Sequence, residues 1–136
     1  MSVQDKKLIS EFFHRSEEAY LYTAIEGGCA PVIFLFTGDL EKVHMKTLMP
    51  PKMGNPMKYI KSIIEDTNCT AYLIIIPMLA KSKTDPSTET MMAMKGRSID
   101  GIFSFEKTYR VFFRDDMTLS AIQEMEAKIG IWKELP

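Results

Sequence analysis

The chain has 136 residues, of which 46% are hydrophobic and 26% charged, and its formal net charge is −1. That length specifies one domain, residues 1–136, large enough to bury a core without staples. The near-neutral balance argues against a strongly basic nucleic-acid binder, although a local basic patch stays compatible with it. The first residues, Met1-Ser-Val-Gln-Asp-Lys-Lys, are polar and lack the apolar core of a secretory signal. No apolar run approaches the ~20 residues of a membrane span. A soluble, cytoplasmic protein is expected.

Residues 5–26 read as a first helix, with Leu8, Ile9, Phe12, Phe13, Ala19, Tyr20 and Thr23 on one stripe and Gly27-Gly28 as its end. His14 lies beside the stripe and reads as structural. Residues 31–37, PVIFLFT, are a continuous apolar strand. Residues 37–40 turn the chain, and residues 42–48 return as a second strand of a hairpin. In that strand Val43, Met45 and Thr47 share one face, and His44 and Lys46 the other. Met45, Met49, Met53 and Met57 recur every fourth position, but Pro50 and Pro51 rule out a helix there.

Asn55 and Pro56 suit the start of a second helix. Met57, Ile60, Ile63 and Ile64 form its apolar face, and Asn68 suits a left-handed stop. Residues 71–76 follow as an unbroken apolar run, the pattern of a strand buried on both faces. Pro77 lacks a donor, so pairing should weaken there on one side.

Residues 81–89 are a polar loop and residues 90–97 a strand. Ser98-Ile-Asp-Gly is a turn in which Gly101 supplies a positive φ. Residues 102–114 alternate as a long strand. Phe103, Phe105, Tyr109, Val111 and Phe113 share one face. Ser104, Glu106, Thr108, Arg110 and Arg114 share the other, and Lys107 and Phe112 break the pattern. Ser120 with Gln123 resembles a capping box, and Leu119, Ile122, Met125 and Ile129 then suit a last short helix. Ile131 and Trp132 should tuck back on the sheet.

The order α-β-β-α-β-β-β-α points to an α+β domain. Its expected architecture is a mostly antiparallel five-stranded sheet with the helices packed on one face.

Enzyme signatures are sparse. Zinc needs converging ligands at short spacing, whereas His14, His44, Cys29 and Cys69 are scattered. The two cysteines read as buried free thiols, with a disulfide or redox pair as the alternative. No G-x-S-x-G elbow and no phosphate-cradling glycine loop occurs in the sequence. Asp39, Glu41 and Lys46 lie around the first hairpin, and Asp85 and Glu89 precede the fourth strand. Asp39, Asp85 and Glu89 would be the metal ligands of a hydrolase or nuclease reading. Arg110 and Arg114, with Tyr72 or Tyr109, would be the core of an anion- or nucleic-acid-binding reading. No cofactor is implied.

Residues 84–89, Thr-Asp-Pro-Ser-Thr-Glu, run into Thr90-Met91-Met92. With the element order, this polar loop resembles a set of small α+β domains of unknown function found in bacterial and phage genomes, over roughly residues 30–115 of this chain. Those domains tend to carry Glu-Ala-Trp at the end of the preceding strand and an arginine in the loop; here Ile76-Pro77-Met78 and Thr88 stand instead. The resemblance implies the fold and carries no activity.

The residues favour a non-enzymatic protein-interaction domain, an accessory protein of bacterial or phage origin. Eleven methionines suit either adaptable core filling or a plastic partner surface. The expected contact residues are Met45, Met49, Met53, Arg110, Phe112 and Arg114. The partner would be a protein, including a second copy in a homodimer.

Overall fold

The computed structural model describes residues 2–27, 30–38, 42–48, 56–81, 88–115, 119–125, 132 and 135. The first helix, α1 (Val3–Gly27), starts earlier than its apolar stripe suggests. Ser2 caps it: its hydroxyl accepts from Asp5 N at 3.1 Å, and the Asp5 carboxylate accepts from Ser2 N at 3.4 Å. This reciprocal pair satisfies two otherwise orphaned donors. The buried stripe is Ile9, Phe12, Phe13, Ser16, Tyr20 and Ala24, while Ala19 and Thr23 face outward. His14 is exposed and lies 3.1 Å from Glu18, one turn on.

Among the described residues there are six strands: β1 (Val32–Phe36), β2 (His44–Thr47), β3 (Ala71–Lys81), β4 (Thr88–Ser98), β5 (Ser104–Phe113) and β6 (Leu119–Met125). The second helix, α2 (Pro56–Thr67), separates β2 from β3. It stops as its sequence suggests, at Asn68, with φ 54°. The sheet order is β2-β1-β3-β4-β5-β6 and every pairing is antiparallel. The strand groups therefore join through β1 and β3. Pairing with β1 ends at Ile75, two residues before Pro77, whereas pairing with β4 runs on to Lys81. The donor missing from Pro77 is thus placed where one neighbour has already ended.

Two expectations are corrected. The sheet has six strands, not five, because residues 119–125 form β6 rather than a helix. Leu119, Ile122 and Met125 do recur at helical spacing, but β5 would otherwise leave a row of donors and acceptors without a partner strand, and pairing along it overrides a short periodicity. The helices also do not share a face. Residues of α1 pack on Val32, Phe34, Phe36, Leu73, Ile75, Met92 and Met94. Ile60 and Ile64 of α2 pack on Ile33, Leu35, Tyr72 and Ile74 instead, joined by Trp132 and Leu135. Successive side chains of a strand point to opposite faces, so β1 and the start of β3 are covered on both sides. The result is an α+β domain with three layers.

The α1 layer is tied to the sheet by polar contacts at β5. The Tyr109 hydroxyl donates to Glu17 Oε1 at 3.1 Å. Lys107 Nζ lies 3.9 Å from Glu17 and 5.5 Å from the centre of the Phe105 ring. Burial raises the Tyr109 hydroxyl above its ordinary range, reinforced by the Glu17 charge and hydrogen bond. Burial also pushes Tyr72 up to about 12, opposed by the positive charge of Arg97. Both are acids whose neutral form folding favours. Their contribution is complete below the unfolded-state value of ~10 and is lost as pH rises from there through the folded values. The unfolding free energy from urea titrations between about pH 8 and about pH 11 should hold at first and then fall, by up to ~1.4 kcal/mol per pH unit for each tyrosine. Tyr109→Phe should remove one of the two contributions to that slope; an unchanged slope would contradict the assignment.

Candidate functional site

Strand β2 forms one border of the sheet. All four of its residues are exposed. Register with β1 places Met45 opposite Phe34 on the α1 face and Lys46 opposite Ile33 on the α2 face. Met45 is 59% exposed. It lines a groove of about 190 Å³ between α1 and the sheet edge, with Phe12, Ala19, Phe34 and Val43 as apolar walls and Arg15 and Ser16 as polar ones. The alternation of Val43, Met45 and Thr47 made one wall legible in the sequence. The α1 wall was not, because Ala19 reads there as part of the buried stripe.

The long strand carries the second group of expected residues. Arg110 lies on the α2 face, between Met91 of β4 and Gln123 of β6. Phe112 shares that face, opposite Ala121, and is 44% exposed. Arg114 is exposed just beyond the strand. The aromatic partners expected for an anion site stand apart from Arg110. Tyr109 points to the other face and is bonded to Glu17, while Tyr72 is fully buried in the rung of Arg97.

Between these lies Lys95, a buried cation. Its Nζ is 3.5 Å from Glu106 and donates to Ser104 Oγ at 3.3 Å. Its side chain is 10% exposed, against 32% for that of Glu106. Removing only the acid leaves a charge in a dry place, whereas removing the cation does not. Glu106→Ala should therefore lower stability by about 2–3 kcal/mol, and Lys95→Met by less than about 1 kcal/mol or not at all. Equal losses in urea unfolding would refute this asymmetry.

A larger cleft, of about 620 Å³, opens at the end of the sheet where β1 stops and β3 begins. Leu8, Ile9, Phe36, Cys69 and Ile99 line it, with Asp5 and Asp100 as its acids. Both acids serve local turns. Asp5 caps α1. Asp100 accepts from the Ser98 hydroxyl at 2.6 Å and from Ile102 N at 3.1 Å, and these bonds, in that order, hold its carboxyl below the usual range. Gly101, at φ 82°, supplies the positive φ this turn requires. Cys69 is a buried free thiol that burial pushes up in pKa, so little thiolate forms at neutral pH.

Cys29, Asp39, Met49, Met53 and Asp85 lie outside the described residues. Glu89 pairs with Ala80 in β3. Among the described residues no three His, Cys, Asp or Glu side chains are grouped to hold a metal, and no helix is long and apolar enough to cross a membrane. No protein-family model, curated protein or solved structure matches this chain.

Proposed function

We propose that this chain is a non-enzymatic protein-binding module whose border strand β2 pairs with an extended segment of a partner protein. The observation that supports this reading is an edge strand with all four residues exposed, beside an apolar groove. In such strand addition, main-chain hydrogen bonds supply affinity and pockets for alternate side chains supply selectivity. Here the groove would take one apolar side chain of the segment, against Met45 and Val43. Lys46, on the opposite face, favours an acidic neighbour in the sequence of the partner.

The reading is tested by selecting a displayed library of random peptides on the pure protein and mapping the winners by amide chemical shifts. Enriched peptides should alternate apolar and polar residues, and the shifts should centre on residues 43–48 and the facing turn of α1. Met45→Glu should weaken the best peptide about tenfold or more, the scale of a truncated hot spot. Shifts centred on the cleft at Cys69 and Asp100, or a selection that enriches nothing, would overturn it.

A further inference from the structure

The sheet has a second border, β6, and its chemistry differs from that of β2. Natural edge strands are commonly guarded against pairing with their own copies by lysine, proline or brevity, which leaves pairing with a segment of complementary charge open. Strand β2 is four residues long and carries Lys46. Strand β6 has seven residues, LSAIQEM, with no lysine, arginine or proline among them. Ser120, Ala121, Gln123 and Glu124 are exposed along it. Ile122 is only partly buried, against the core under α1.

We infer that β6 is the self-association edge, pairing antiparallel with β6 of a second copy about a twofold axis at Ile122. A twofold pair must keep like faces together, so its register has to centre on a residue. Centred on Ile122, the rungs are Ile122 on Ile122, Ala121 on Gln123, and Ser120 on Glu124. No rung opposes like charges, and the two half-buried isoleucines complete each other's cover on the α1 face. The same operation on β2 is poorer. Centred on Lys46 it sets lysine against lysine, and centred on Met45 it can pair only the three residues His44–Lys46 of so short a strand. Like charges directly opposite destabilise a strand pair. The inference stands independently of the strand-addition reading of β2. If both hold, the six-stranded sheet doubles into one continuous sheet with the two β2 edges at its outer ends, a bivalent display.

The test is the mass of the full chain in solution by light scattering, with hydrogen exchange of the β6 amides as a function of concentration. The expected mass is twice the 15.6 kDa of the chain, and the outward amides of β6 should exchange more slowly as concentration rises. Ala121→Lys with Gln123→Lys puts lysine opposite lysine on both rungs and should weaken the dimer about tenfold or more. Ala121→Glu with Gln123→Glu should do the same. Mixing the two variants should restore a heterodimer, because the register sets each lysine on a glutamate. A monomer with concentration-independent exchange overturns the inference. So does a dimer that survives both charged variants but is lost on Phe112→Ser, since that outcome assigns association to the sheet face.

Discussion

Gly96→Ala is expected to cost about 3 kcal/mol, an unusually large effect for a single methyl group. Gly96 lies in β4 directly opposite Phe105 of β5, on the α1 face. A Cβ built on Gly96 would clash with the tip of the Phe105 ring. The ring is hemmed in on part of its surface. Phe13 meets it edge-on at 5.1 Å and 85°, and Lys107 Nζ lies over it at 5.5 Å. The strand interior holds a glycine because an aromatic ring takes the place of its side chain, a known meaning of glycine in a strand. Removing the ring should remove the conflict. In a Phe105→Ala background the same substitution should cost less than about 1 kcal/mol, giving a coupling of about 2 kcal/mol in a double-mutant cycle. Urea unfolding of the four proteins measures this directly. Additive losses would show that the ring and the glycine are independent.

Phe12→Ala is expected to cost about 3–5 kcal/mol, the usual range for deleting a fully buried phenylalanine. Phe12 has no exposed surface. Its ring centre lies 5.2 Å from that of Phe36, nearly parallel at 21°, and 5.2 Å from that of Phe13. It therefore joins α1 to β1 through a stacked aromatic contact. A domain of this size has a total stability of roughly 5–15 kcal/mol, so one truncation would consume a large share of it. Phe112→Ala is the contrast. Its ring is 44% exposed, and the loss should stay below about 1 kcal/mol in the monomer. A Phe12 variant as stable as the Phe112 variant would mean that α1 docks only weakly on the sheet. Phe12 also walls the Met45 groove, so a folded Phe12→Ala protein would have a deeper groove at the proposed binding edge.

Among the expected contact residues, the structure brings Met45 to an exposed edge and Phe112 to an exposed sheet face. It also separates Arg110 from the tyrosines that an anion site would need. That separation was legible for Tyr109, since neighbours in a strand face opposite ways. It was not legible for Tyr72, because its distance from Arg110 depends on the β3–β4 register, which no local signal states. The groove wall from α1 was hidden for the same reason: a shallow helical stripe does not say which of its margins stays open. Gly96 carried a sequence signal, a glycine inside an apolar strand pattern, but not the identity of the ring above it.

The sequence by itself determined the elements whose burial is strong and local. The apolar runs of β1 and β3, the amphipathic turns of α2, its stop at Asn68 and the turn at Gly101 all follow from side-chain chemistry within a few residues. The apolar run of β3, read as buried on both faces, also implies cover on both sides, which the placement of both helices on one face contradicts. Only the tertiary structure decided that α1 and α2 take opposite faces, that β1 pairs with β3, and that residues 119–125 are a strand. Each of these depends on which distant backbone and which apolar face is left without a partner. A short segment such as Leu119–Met125, with apolar residues at every third position and no strong propensity, takes the conformation that fills the vacancy at β5.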